Sequence, residues 1–355
     1  MITFEPYQKR AIEAAHKYMR NKKGVLVAPA GAGKTLICAG IVAFRLDPNP
    51  SVLWLAPTQE VKAQAEEACR KIGVQDRVTC ACFQGSPSAA GYDMLIIDEA
   101  HTAACDSIRG IIATAGVNCW ILGVTATPDR PDGEDITKII GPIFHTVSRA
   151  DVMATGRIVS ASVRWMDVLG SIAEEVNKAA EKEIRGWMSD EQRNRILYRH
   201  AKRIGIVENQ ARNEMAAKVA RRAIDAGRSV LVLVAEKAQG RAIVDLIGDG
   251  AVMVHSGMKK REETIEALRA GEIKGAVATS LADVGLDVPI ISVLVMACGG
   301  RAAGRTEQRV GRAMRNNGDG LDKWVFDYRD GQHYFLSAQA KARAKVYKTL
   351  GLKEA

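Results

Sequence analysis

The seven residues Pro29-Ala30-Gly31-Ala32-Gly33-Lys34-Thr35 restrict the fold more than any others in this chain. Before them, Gly24-Val25-Leu26-Val27-Ala28 reads as a short buried strand, and Thr35-Leu36-Ile37-Cys38-Ala39 opens a helix. Gly31 and Gly33 let successive backbone N–H groups turn inward, and the helix N-terminus adds its positive end, which makes a cradle for phosphate oxygens. Lys34 in such a turn reaches the β- and γ-phosphates of a nucleotide, and the Thr35 hydroxyl binds Mg²⁺. The first position of the pattern is Ala28 where glycine is usual. A strand, a phosphate turn and a helix in this order belong to a parallel α/β sheet.

A second apolar run, Met94-Leu95-Ile96-Ile97-Asp98, ends in a carboxylate 64 residues after Lys34. Asp98 at a strand tip can hold Mg²⁺ through water, since this cation keeps much of its hydration shell. Glu99 can orient and polarise an attacking water. In isolation the same pair also fits a helix N-cap with an acid complementing the dipole. A third run, Cys119-Trp120-Ile121-Leu122-Gly123-Val124, leads into Thr125-Ala126-Thr127, whose hydroxyls can bond His101 and relay the state of the nucleotide. A Thr-rich strand end is otherwise an ordinary turn. Far downstream, Gln308-Arg309-Val310-Gly311-Arg312-Ala313-Met314-Arg315 puts Arg312 and Arg315 at i and i+3 on one helix face. Two guanidiniums there can neutralise a transferring γ-phosphate, and Gln308 one turn earlier can hold the water. The alternative is a solvated basic helix.

Taken in order with Ala56-Pro57-Thr58, His255-Ser256-Gly257, Ala278-Thr279-Ser280 and Gly285-Leu286-Asp287, these blocks resemble a superfamily-2 helicase. Asp98-Glu99-Ala100-His101 gives the resemblance its DEAH-type label. The run from Gly123 to Gly133, then Gly141-Pro142-Ile143-Phe144 and the Ala154-Thr155-Gly156-Arg157-Ile158 turn, look more like the XPB/UvsW/RecG-type DNA helicases and restriction-enzyme motor subunits. The resemblance covers roughly residues 1–157 and 210–330. It implies two RecA-like domains and a P-loop NTPase that hydrolyses ATP with Mg²⁺ between them. It also implies that Tyr7 and Gln8 match an adenine-sensing pair. By the same resemblance, Thr58, Gln84 and Thr279 touch the nucleic-acid backbone, while Gly285 and Asp287 couple the second domain to the nucleotide. The block that would carry Gln84 departs from the family, with Cys82 where Thr is usual.

Bulk properties bound this reading. A chain of 355 residues, 47% apolar, supports two domains of ordinary size. The apolar runs 229–234, 275–279, 292–296 and 323–327 read as strands covered on both faces. Residues 1–157 carry 17 Lys/Arg against 16 Asp/Glu, so +8 of the +9 net charge falls on the remainder. That asymmetry suits a polyanion partner. Seven cysteines, with no zinc spacing, read as reduced core thiols in a cytoplasmic protein of a bacterial cell or phage-infected host. No run reaches transmembrane length and the N-terminus lacks signal-peptide character, so no membrane role is expected.

Three segments follow: a first domain at 1–157, a helical linker or insertion at 158–208, and a second domain at 209–355. In the middle segment, Ser189 and Gln192 form a capping box for a helix to about Arg203; the second domain opens with a helix from about Asn209 to Ala226 that ends at Gly227. Arg212-Asn213 matches a pair that opens this helix in the resembled family. Residues 338–353 read as a basic helix that either caps the second domain or extends the nucleic-acid track, with capping the preferred reading. The expected function is an ATP-dependent DNA helicase or translocase, monomeric, and near-minimal in size as for a phage or mobile-element motor. An RNA helicase and an ATP-locked nucleic-acid clamp are the alternatives. A small-molecule kinase would leave the second half unexplained.

Overall fold

The computed structural model describes every residue except 1, 19–22, 45–49, 103–105, 127, 129–133, 256, 280–290, 301–305, 308, 312–313, 317 and 319. It divides into two compact units, Met1–Ile158 and Val159–Ala355. In the first, the elements run α1 (Pro6–Tyr18), β1 (Lys23–Val27), α2 (Lys34–Ala43), β2 (Val52–Ala56), α3 (Gln59–Ile72), β3 (Val78–Cys82) and β4 (Met94–Asp98). They continue with α4 (Asp106–Thr114), β5 (Trp120–Thr125), α5 (Thr137–Ile140), β6 (Ile143–Thr146) and α6 (Arg149–Ala154). The six strands pair in the order β3-β2-β4-β5-β1-β6, all in parallel.

Alternation along these strands explains why they read as unbroken apolar runs. Leu26, Trp54, Ile96, Leu122 and Val124 pack on one face with α1, α2 and α3. Val25, Leu53, Leu55, Ile97 and Ile121 pack on the other with α4 and α5. A strand with helices on both faces must be apolar at every position. Helix α3 is bounded as its sequence dictates: the Thr58 hydroxyl accepts the Val61 N–H, and Gly73, at φ 82°, closes the C-terminus.

The second unit contains β7 (Ala161–Met166), α7 (Ala173–Glu181), α8 (Asp190–Lys202), a π-helical turn at Arg203–Val207, α9 (Gln210–Asp225), β8 (Val230–Val234) and α10 (Lys237–Ile247). After them come β9 (Ala251–Val254), α11 (Arg261–Ala270), β10 (Gly275–Thr279), β11 (Val293–Met296), β12 (Lys323–Tyr328), α12 (Tyr334–Thr349) and β13 (Lys353–Glu354). Its seven strands are parallel, in the order β13-β7-β12-β11-β8-β10-β9. Both units are thus parallel α/β sheets, as the strand–turn–helix pattern requires. The capping box on Ser189 and Gln192 forms, and Asn209 caps α9 through the Arg212 N–H.

Two expectations are corrected. Residues 158–208 do not make a purely helical linker: Ala161–Met166 form β7, inside the second sheet between β12 and β13. The helices after it share a core of Ile172, Val176, Ala201 and Ile206 with Leu336 of α12. The C-terminal helix begins at Tyr334 rather than 338, capped by the His333 ring, and Lys353 belongs to β13. Helix α12 does cap the second sheet, but Arg343, read as part of a basic face, is wholly buried.

Candidate nucleotide and nucleic-acid sites

All the described nucleotide-loop residues stand at the carboxyl ends of parallel strands, where open α/β sheets bind ligands. The loop after β1 turns through Gly31 at φ 87° and Gly33 at φ 73° into the N-terminus of α2. A side chain at Gly31 would meet Ile158 Cγ2 at 2.6 Å, and one at Gly33 would meet Gln8 Nε2 at 2.8 Å. The turn containing Arg157 and Ile158 therefore backs the phosphate loop directly. Arg157 Nε reaches Glu5 at 3.1 Å, beside the helix that holds Tyr7 and Gln8. Tyr7 OH and Gln8 Nε2 both donate to the Ala32 carbonyl, at 3.1 and 3.0 Å, while Gln8 Oε1 accepts the Glu5 N–H. Both side chains are buried and brace the loop from within. Pro29, Ala30 and Thr35 complete it.

The neighbouring strand ends supply the charged groups. Asp98, at the tip of β4, is 4% exposed and accepts the Glu99 N–H at 2.9 Å. Burial first, then the Glu99 charge, push its carboxyl up to about 7, with Lys34 pulling the other way. Glu99 sits at φ 49°, between Lys34 Nζ at 3.9 Å and His101 Nδ1 at 3.5 Å. His101 Nδ1 also lies 3.2 Å from the Thr125 hydroxyl at the end of β5. The expected His101–Thr125 contact is thus present. Strands β1, β5 and β4 are adjacent, so Lys34, Thr125, Asp98 and Glu99 converge by sheet order alone.

The other end of the same sheet carries the candidate nucleic-acid contacts. Thr58 follows β2, and Gln84 follows β3. Gln84 Nε2 donates to the Pro57 carbonyl at 3.2 Å, which ties the two loops together. In the second unit, Thr279 closes β10; it is 7% exposed, and its hydroxyl has no hydrogen-bond partner among the described residues. Arg315 is exposed. Thr127, Gly285, Asp287, Gln308 and Arg312 lie outside the described residues.

Sequence reasoning passed over a buried charged cluster in the second unit. Arg212 pairs with Asp330, its guanidinium carbon 3.7 Å above the Tyr328 ring. Arg343 reaches Asp327 at 2.7 Å and Asp330 at 3.2 Å, and Tyr347 OH donates to Asp327 at 2.6 Å. Burial raises the Tyr347 hydroxyl well above its ordinary value, and the Asp327 charge adds to this. The available signal was Arg343 among apolar neighbours on α12, and Asp327-Tyr328-Arg329-Asp330 after an apolar strand.

The family model described as "Type III restriction enzyme, res subunit" matches residues 1–90, and that of the "Helicase conserved C-terminal domain" matches residues 211–317. The chain belongs to helicase superfamily 2. It is accordingly an ATP-dependent enzyme of the helicase class, built from two RecA-like units. This superfamily-2 chain is 24% identical to the DNA 3'-5' translocase XPB2 of Sulfurisphaera tokodaii, over 88% of its own length and 79% of that protein's. It is also 24% identical to the DNA 3'-5' helicase XPB of Kineococcus radiotolerans, over 88% of its own length and 57% of the relative's. Several other curated relatives are matched over about half their length. Among solved structures, a putative HsdR subunit of a type I restriction enzyme from Vibrio vulnificus shares the fold. The TM-score is 0.66 at 19% identity, with 92% of this chain and 64% of that chain covered. No helix among the described residues is long and apolar enough to cross a membrane.

Proposed function

We propose that this protein is an ATP-driven DNA translocase or helicase, moving 3'-5' as in the names of its archaeal and bacterial relatives. The observation that carries the reading is the division of labour along the first sheet. Nucleotide groups occupy the ends of β1, β5 and β4, and the Thr58 and Gln84 loops occupy the adjoining ends of β2 and β3. Two ligands on one rigid edge can be coupled through that edge, and the Glu99–His101–Thr125 chain is the polar link within it.

Lys34 binds the terminal phosphates, Glu99 orients the attacking water, and Arg315 with Arg312 and Gln308 supplies the second unit's contribution to turnover. The donor set fits a hydrated divalent cation. Asp98 and Glu99 are adjacent carboxylates facing a single ammonium, and the strain on Asp98 ionisation is what such a cation relieves. Thr35 and Asp98 would hold Mg²⁺, which supplies charge neutralisation on the phosphates. In the second unit, the Thr279 hydroxyl, unpartnered among the described residues, is a buried donor suited to a backbone phosphate, and Thr58 is its counterpart in the first.

The test is ATPase turnover with single-stranded DNA, duplex DNA, forks and RNA as alternative stimulators. DNA is expected to stimulate most. Stimulation by RNA alone would make the protein an RNA helicase, since backbone grip leaves the sugar open. Turnover indifferent to every nucleic acid would overturn the motor reading. An ATP-locked clamp would instead show tight, ATP-dependent binding with no stimulated turnover and no movement of a displaced strand or bound roadblock.

A further inference from the structure

Four polar atoms of the backbone that leaves β11, in residues 297, 299 and 300, bond to side chains from elsewhere in the unit. The Ala297 carbonyl accepts Arg212 Nε and Gln239 Nε2, each at 3.3 Å. The Gly299 carbonyl accepts Arg309 Nη1 at 3.3 Å. The Gly300 N–H donates to Gln339 Oε1 at 3.0 Å, and its carbonyl accepts Arg343 Nη1 at 2.8 Å. Gly299 and Gly300 take φ 62° and 96°, and a side chain at Gly299 would meet Ile206 Cδ1 at 2.6 Å. Arg309 makes the Gly299 bond itself, so the gripped backbone is tied directly to the stretch that carries Arg315. Val159 N–H, on the strand side, then holds the Met314 carbonyl at 2.7 Å at its far end.

Three of the groups that do the gripping, Arg212, Gln239 and Arg343, have further partners of their own. Arg343 is held at both ends by Asp327 and Asp330, and Asp327 also takes the Tyr347 hydroxyl. A purely space-filling helix needs no such chain of charge-assisted bonds ending on a glycine pair. Side chains locked by their own partners are what hold functional groups to within fractions of an ångström.

We infer that α12 is a positioning element of the ATPase machinery: Gln339 and Arg343 fix both backbone edges of Gly300 and thereby place the Arg315-bearing segment for turnover. This rests on the proposed reading of that segment. Helix α12 lies outside the 211–317 match to the helicase C-terminal family, and it acts through the backbone rather than on the substrate.

The experiment compares wild type, Gln339→Leu and Gln339→Glu in the full chain. Leu keeps the volume and loses the acceptor; Glu keeps an acceptor for the Gly300 N–H. Wild-type DNA-stimulated turnover is measured first, and its absence would sink the functional reading rather than this inference. Given that turnover, Gln339→Leu should lower kcat by about 10- to 10²-fold, the scale of a small misplacement remote from the chemistry. Its KM for ATP and its thermal midpoint should stay close to wild type, and Gln339→Glu should restore most of the rate. Exchange of the Gly300 amide should be slow in wild type and Gln339→Glu and fast in Gln339→Leu. Wild-type kcat in Gln339→Leu would overturn the inference. So would a rate loss that tracks a falling midpoint and is not rescued by Glu. Should Leu fail to fold, Gln339→Met makes the same comparison.

Discussion

Glu99 sits in the left-handed region at φ 49°, a conformation that costs a non-glycine residue on the order of 1–3 kcal/mol. The bond from its own N–H to the Asp98 carboxylate, with Lys34 and His101, holds it there, which aims the carboxylate toward the phosphate loop. Glu99→Gln should therefore keep ATP and DNA binding while cutting turnover by about 10²-fold or more, because the water loses its orienting base. Lys34→Ala should instead weaken nucleotide binding itself, so nucleotide titration and single-turnover rates on both variants separate the two roles. Near-wild-type turnover in Glu99→Gln would remove Glu99 from the chemistry. These residues were legible because each belongs to a short local pattern: a glycine turn between strand and helix, a strand ending in Asp-Glu. The bracing by Tyr7 and Gln8 was not, since their shared acceptor, the Ala32 carbonyl, has no side-chain signature.

Between elements, sequence distance hides what charge and burial decide. Arg343 looks like one more cation on a basic helix, yet its partners Asp327 and Asp330 lie on and after β12, and all three are buried. Arg343→Leu would leave Asp327 without a cation in the core, Arg212 still pairing Asp330, and should cost about 3–5 kcal/mol in denaturant unfolding. Arg195→Ala, which breaks the exposed pair with Glu191 on α8, should cost less than about 1 kcal/mol. Equal losses in the two variants would mean that the buried cluster is solvated. Strand β7 was missed for a related reason. Arg164 and Trp165 interrupt its apolar alternation, and its partners β12 and β13 lie far along the chain. The start of α12 was misplaced because a histidine, rather than Ser, Thr, Asp or Asn, supplies the cap.

At the scale of the chain, each unit has its own sheet and its own apolar core, and the phosphate loop belongs wholly to the first. A fragment of residues 1–158 should therefore bind ATP weakly, by calorimetry or fluorescent-nucleotide titration, and show no DNA-stimulated hydrolysis. It carries only +1 of the +9 net charge, so its DNA affinity should fall less steeply with salt than that of the full chain. Stimulated hydrolysis by the fragment would place the whole active site in one unit. The α/β class was legible from the apolar runs, and the two-unit plan from chain length and the superfamily-2 resemblance. The boundary was not, because strands β7 and β13 complete the second sheet from its opposite chain ends.

That last pairing has a consequence for how the second unit can be handled. Ser162 lies beside Lys353 and Val163 beside Glu354, so the chain enters and leaves this unit at neighbouring strands of one sheet. A unit whose entry and exit adjoin is a closed cassette. Joining its two ends by a short link and opening it at an exposed loop leaves every strand pair intact, as in a circular permutant. It can equally be seated in a loop of another protein, with the host's chain continuing from the point where it was interrupted.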